Sequence, residues 1–70
     1  MIYTIVVLEN PQTDERLEII KNGNLYQVIY NDAWVTYSTL EESYTMFEKA
    51  SKMITLGLGS DMDIESMLMD

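Results

Sequence analysis

The segment spanning residues 33–57 constrains the fold most, because a short strand there turns directly into a long amphipathic helix. Residues 38 and 39, a serine and a threonine, precede Glu41 and Glu42 by three positions, which is the spacing of two overlapping capping boxes. Gly57 is suited to end the helix in the left-handed conformation. Apolar side chains recur at intervals of three and four residues, so they share one face. That predicted face comprises Leu40, Tyr44, Phe47, Ala50 and Ile54, flanked by Met46 and Met53.

Upstream of the helix, runs of β-branched and aromatic residues predict a sheet of four strands. The first two strands are expected at residues 2–9 and 16–21, and the other two at residues 25–30 and 33–37. Asn22-Gly23 favours a type I′ hairpin turn, and Asn31-Asp32 favours a second turn of the same kind. The predicted fold class is therefore α+β, a four-stranded antiparallel β-meander packed on one face by a C-terminal α-helix.

The two hairpin turns also predict which residues share a face of the sheet. Across the first turn Ile19 should oppose Tyr26 and Leu17 should oppose Val28, and across the second turn Val28 should oppose Val35. One face is then apolar throughout and is the natural seat for the helix. The predicted core face consists of Tyr3, Ile5, Val7, Leu17, Ile19, Tyr26, Val28, Tyr30, Ala33, Val35 and Tyr37.

The second face of the sheet is expected to be partly polar and partly apolar. Ile29 should oppose Trp34 and Ile20 should oppose Leu25, which gives two apolar cross-strand pairs. One helix covers only one face, so these pairs need another cover. Three possible covers remain open: the C-terminal segment folded back, a second copy of the chain paired face to face or through an edge strand, or a foreign partner. The predicted second face consists of Ile2, Thr4, Val6, Leu8, Arg16, Glu18, Ile20, Leu25, Gln27, Ile29, Trp34 and Thr36.

The chain is expected to form a single small domain over residues 1–59, followed by an acidic, methionine-rich segment at residues 60–70. Two alternatives stay open for this segment, a short helix capped by Ser60 or Asp61, or a frayed tail. In the helical alternative, one face carries Ile64, Met67 and Leu68.

The composition argues against catalysis, cofactors and metal binding. The chain has no histidine and no cysteine, which removes the commonest general base and the thiolate ligands of zinc. Asp61, Asp63 and Glu65 alternate like the first ligands of a calcium loop, but the loop glycine and the distal glutamate are missing. We therefore expect no enzyme, no cofactor and no metal site. The N-terminus lacks a signal-peptide pattern and no apolar run approaches about 20 residues, so a cytoplasmic protein without membrane contact is expected.

Charge narrows the class of partner. Twelve acidic and four basic residues give a formal net charge of -8. Direct binding to nucleic acid needs clustered cations, so it is not expected. A partner selected by charge should be basic. Alternatively, the acidic residues only keep a small protein soluble.

Together these features favour a small acidic protein–protein interaction module. In size, acidity and sheet-plus-helix layout the chain resembles the small acidic inhibitors that phages and mobile elements direct at host enzymes. The resemblance implies occupation of a basic, nucleic-acid-binding site on a host protein. The alternative is a homodimeric structural or regulatory protein without catalytic activity. The candidate partner-binding residues are Glu18, Ile20, Leu25, Ile29, Asp32, Trp34, Asp61, Asp63 and Glu65.

Overall fold

The computed structural model describes residues 1–68, apart from the side chain of Asp61. Strands β1 (Ile2–Asn10), β2 (Glu15–Asn22), β3 (Leu25–Tyr30) and β4 (Ala33–Tyr37) precede helices α1 (Leu40–Leu56) and α2 (Asp61–Leu68). The strands form one antiparallel sheet in the order β1-β2-β3-β4. This confirms the predicted α+β meander. Of the two alternatives for the C-terminal segment, a short helix or a frayed tail, residues 61–68 form the helix. Met69 and Asp70 of the predicted C-terminal segment lie outside the described residues.

The core lies between one face of the sheet and both helices. Val28 is completely buried, whereas Trp34, on the neighbouring strand, is 59% exposed. The predicted alternation of inward and outward side chains is therefore confirmed for β2, β3 and β4. The buried cluster combines sheet and helix residues: Leu17, Ile19, Val28, Tyr30 and Ala33 from the strands, Ala50 from α1, and Ile64 and Leu68 from α2.

The predicted turn between β2 and β3 is displaced by one residue. Asn22 pairs with Leu25, so Gly23 and Asn24 form the turn, and Ile19 opposes Val28 instead of Tyr26. Gly23 has φ 64° and Asn24 has no positive φ, which are the φ signs of a type II′ turn with glycine in the first position. The resulting shift in register is two residues, an even number, so it leaves every side chain on its predicted face.

The first strand contains a β-bulge that the sequence analysis did not predict. Thr4 opposes Ile20 and Val6 opposes Ile19, so Ile5 is an extra residue in β1. Beyond the bulge the alternation is reversed. Val6 and Leu8 consequently pack against the core, whereas Val7 lies opposite Glu18 on the other face. The assignments of Val6, Val7 and Leu8 to faces were therefore wrong, while Ile5 does pack against the core.

Helix α1 begins and ends as the sequence predicts but is rotated about its axis. Thr39 is the N-cap and its Oγ1 accepts from the backbone N–H of Glu42, while Gly57 ends the helix with φ 66°. Ser43 is completely buried, and Leu40 and Tyr44 lie at the exposed margin of the predicted face. The Ser43 hydroxyl donates to the carbonyl oxygen of Leu40 at 2.6 Å, so burial leaves no donor unsatisfied. Two small residues, Ser43 and Ala50, therefore meet the sheet.

Helix α2 does not cover the face for which the sequence analysis considered it. Its N-terminus is capped by Ser60, whose backbone N–H donates to Asp63 Oδ2 at 2.9 Å. Ile64 and Leu68 are buried in the same cluster as Val28, Tyr30 and Ala33, and α2 contacts β3, β4 and α1. The fold-back hypothesis is therefore wrong, because α2 completes the core beside α1 and leaves the second face of the sheet open.

Candidate functional site

The side of the sheet turned away from both helices, called here the open face, is left without cover in residues 1–68. Its side chains follow from the strand registers and form successive rows across the sheet. One row crosses all four strands and a second, more polar row lies beside it. The open face comprises Ile2, Thr4, Val7, Glu9, Arg16, Glu18, Ile20, Leu25, Gln27, Ile29, Trp34 and Thr36.

The first row carries most of the exposed apolar surface. It runs from Val7 through Glu18 and Ile29 to Trp34. Trp34 is 59% exposed and Val7 is 43% exposed, while Ile29 between them is half-buried. Directly opposed side chains on a sheet lie close enough to pack, so Ile29 and Trp34 form a continuous apolar contact. Tryptophan on an uncovered face is typical of the central residues of protein interfaces.

The second row connects this apolar contact to the far end of the sheet. Ile20 opposes Gln27 instead of the predicted Leu25, because of the displaced turn. Ile20 is nevertheless the diagonal neighbour of both Leu25 and Ile29, a distance that long side chains can bridge. Gln27 Nε2 donates weakly to Thr36 Oγ1 at 3.5 Å. The apolar residues of the open face are therefore linked diagonally, with polar groups between them.

An ion-pair triad closes one end of the open face. Arg16 donates from Nη1 to Glu9 Oε1 and from Nε to Glu18 Oε2, each at 2.6 Å. The hydrogen bond and charge of Glu18, followed by the charge of Glu9, raise the pKa of Arg16. The triad carries one net negative charge, because two carboxylates share one guanidinium. The open face is therefore close to neutral in a chain whose formal net charge is -8.

Carboxylates concentrate at the adjacent end of the sheet, called here the loop end, where residues 10–16 meet the turn at Asn31 and Asp32. The backbone N–H of Asn31 donates to the carbonyl of Arg16 at 3.1 Å, which ties the two segments together. A hollow of about 210 Å³ opens beside them. It is lined by Glu9, Asn10, Pro11, Asp14, Glu15 and Arg16. Three carboxylates and a single guanidinium give this hollow an acidic lining.

Glu15 is held by two hydroxyl groups, one of which comes from the core. Thr13 Oγ1 donates to Glu15 Oε1 and Tyr30 Oη donates to Glu15 Oε2, each at 2.6 Å. These bonds stabilise the ionised carboxylate and lower the pKa of Glu15, with Thr13 contributing more than Tyr30. The folded-state pKa of Glu15 is lower than its unfolded-state pKa. The stabilisation is therefore complete at pH values above the unfolded-state pKa, and it is lost as the pH falls through the folded-state pKa.

We expect Tyr30→Phe to raise the pKa of Glu15 towards the usual range of a glutamate, because it removes one donor while keeping the buried ring. The titration of the Glu15 carboxyl carbon by NMR measures this directly. Tyr37→Phe removes a hydroxyl elsewhere in the sheet and should leave the titration unchanged. A Glu15 pKa that is the same in the wild type and in Tyr30→Phe would contradict the assigned bond.

The structure brings together five of the nine candidate partner-binding residues. Their side chains all lie on the open face: Glu18, Ile20, Leu25, Ile29 and Trp34. Asp32 lies in the turn at the loop end, two residues before Trp34. Asp63 and Glu65 belong to α2, which packs on the opposite side of the sheet. The Oδ2 atom of Asp63 accepts hydrogen bonds from the backbone N–H and the hydroxyl of the capping residue Ser60. The side chain of Asp61 lies outside the described residues.

Sequence reasoning missed Val7 and Glu9, which the bulge places on the open face. One signal was present in the sequence of β1. Thr4 and Glu9 are its polar residues before Asn10, and five positions separate them. In a regular strand an odd separation puts two residues on opposite faces. Two polar residues that both face solvent at this separation therefore indicate an extra residue between them.

The described residues contain neither a cluster of candidate metal ligands nor a helix that could span a membrane. The chain matches no protein-family model, no curated protein and no solved structure. The surfaces of the chain itself are therefore the basis on which a function can be proposed.

Proposed function

We propose that this chain is a non-catalytic protein-interaction module, which binds a basic surface of another protein through the open face and the carboxylates of the loop end. The observation that carries the proposal is the pairing of Ile29 with the exposed Trp34 on a face that neither helix covers. An exposed tryptophan adds little to the stability of a domain beyond its cross-strand contact, whereas an interface gains a large desolvated contact from it.

The acidic residues provide the second part of the proposal. The hollow at the loop end is lined by Glu9, Asp14 and Glu15 and is large enough for the head group of a lysine or arginine. It lies at the end of β1 and β2, next to the row that contains Val7 and Trp34. A partner that meets both would combine an apolar contact with charge complementarity. A site that normally binds nucleic acid is basic and accessible, so it would offer a partner surface of the required charge.

The proposal is tested by binding experiments with two variants, each of which differs from the wild type at one position. Trp34→Ser removes the exposed tryptophan of the open face. The control Met62→Ser removes an apolar side chain on α2, and Met62 is 74% exposed. Proteins captured from a lysate by the wild type should be retained by Met62→Ser and lost by Trp34→Ser. The captured proteins should also be released by a polyanion such as heparin, because they bind through basic groups.

Two outcomes would overturn the proposal. The first is capture of the same proteins by Trp34→Ser and by the wild type, since the open face would then not be the binding surface. The second is binding that is insensitive to both polyanion and salt, since the partner surface would then not be basic.

A further inference from the structure

The first strand is the least buried strand of the sheet although it is the longest. Six of its nine residues are apolar, yet none of them is buried. Ile2 is 62% exposed and Tyr3 is 49% exposed, while Leu17 and Ile19 on the neighbouring strand are completely buried. The reason is the position of β1 in the fold. It pairs with β2 alone, and both helices make their main contacts with β2, β3 and β4.

The outer edge of β1 therefore presents backbone donors and acceptors that no other strand in residues 1–68 satisfies. The other edge of the sheet is shorter, because β4 has only five residues. Natural edge strands are usually protected by charged residues, by proline, by a β-bulge or by being short. Residues 2–8 contain no charge and no proline. Of these protective features, residues 2–8 have only the bulge at Ile5.

We infer that β1 is a self-association edge, at which two copies of this chain pair antiparallel to form a continuous eight-stranded sheet. Charge identifies a second copy as the occupant. No carboxylate lies within residues 2–8, so two chains of formal net charge -8 can pair along this stretch without bringing carboxylates of the stretch against each other. A basic partner would gain no charge complementarity at this edge.

The bulge determines where the two-fold axis of such a dimer can lie. In an antiparallel pair related by a two-fold axis, opposed residues must lie on the same face of the sheet. Because the alternation of β1 is reversed at the bulge, residues equally distant from the midpoint of Ile5 and Val6 share a face. Tyr3 and Leu8 lie on the core side, and Thr4 and Val7 lie on the open face. The two-fold axis therefore passes between Ile5 and Val6.

This register predicts specific contacts across the dimer. Thr4 of one copy opposes Val7 of the other, and Tyr3 of one copy opposes Leu8 of the other. The half-buried Ile5 and Val6 of both copies meet at the axis and lose their remaining exposure to water. The open faces of the two copies become continuous, while Trp34 stays at the far edges of the joined sheet.

Sedimentation of the full chain over a range of concentrations tests the inference. The wild type should change from a species of 8.1 kDa to one of twice that mass as the concentration rises. Thr4→Glu and Val7→Lys each put a charge into the joined edge, and each should raise the dimer dissociation constant on the order of tenfold. Leu25→Lys adds a charge to the open face away from β1 and should leave the dissociation constant unchanged.

The double variant Thr4→Glu/Val7→Lys tests the register. It places opposite charges against each other twice across the axis, so it should dimerise more tightly than either single variant. Circular dichroism of each variant checks that the monomer remains folded.

Three results would overturn the inference: a monomer at every concentration, a dimer broken by Leu25→Lys but not by Thr4→Glu, or a double variant weaker than both single variants. Failure of the proposed partner binding is distinguishable from these results, because Trp34→Ser affects the open face and not this edge.

Discussion

Leu17→Ala is expected to lower the free energy of unfolding by about 2–5 kcal/mol, which is a large part of the stability of a 70-residue domain. Leu17 is completely buried in the cluster between the sheet and the helices. Its truncation removes apolar contacts and leaves a cavity that the surrounding side chains fill only in part. Urea unfolding followed by circular dichroism measures the change.

Leu25→Ala is the matched control, because it makes the same chemical change on the open face. Leu25 is 48% exposed, so its truncation should change the free energy of unfolding by less than about 0.5 kcal/mol. Equal losses for the two variants would contradict the assignment of the faces. A loss at Leu25 that appears only at high protein concentration would mean that the open face is covered by a second copy.

The double variant Ile64→Ala/Leu68→Ala should have the second large effect. Both side chains are buried in α2 against the core, and each truncation is expected to cost about 2–5 kcal/mol by itself. We expect α2 to detach from the sheet, because an isolated helix of eight residues is not stable in water. Circular dichroism should show a loss of helix, and hydrogen exchange should show faster exchange in β3 and β4, which α2 contacts.

Met62→Ala, on the exposed side of the same helix, is the control and should leave both measurements near the wild type. Retention of the full stability by Ile64→Ala/Leu68→Ala would contradict the packing of α2 in the core. Faster exchange confined to α2 itself would also contradict it, since β3 and β4 would then not depend on the helix.

The elements of this fold could be predicted from the sequence because each one is marked locally. Turn residues separate the strands, and capping residues and a glycine bound α1. The pairing of Ile29 with Trp34 followed from the position of the turn at Asn31 and Asp32, which the structure confirms. Only Asn31 of these two residues has a positive φ, 51°, so the predicted type I′ conformation of this turn was wrong. The exposed anchor of the candidate site was therefore accessible to sequence reasoning.

The remaining errors concern features that local patterns do not determine. Asn22-Gly23 and Gly23-Asn24 are both acceptable turns, and only the packing of β2 against β3 chooses between them. The run from Ile5 to Leu8 is apolar throughout, so it does not show where the alternation reverses, and only the odd spacing of Thr4 and Glu9 on either side indicates an extra residue. Both faces of the sheet are partly apolar, and the side taken by α2 depends on the space left beside α1. The turn between β2 and β3, the bulge in β1 and the position of α2 are all determined by tertiary packing.

The central claim is that the open face is left uncovered by its own chain, and the fluorescence of Trp34 tests it most directly. Trp34 is the single tryptophan, so the signal reports this face alone. In the folded monomer at low concentration, acrylamide should quench Trp34 at a rate close to that of the unfolded chain. The rate should stay unchanged when the concentration rises and β1 edges pair. A blue-shifted, slowly quenched Trp34 in the monomer would contradict the account.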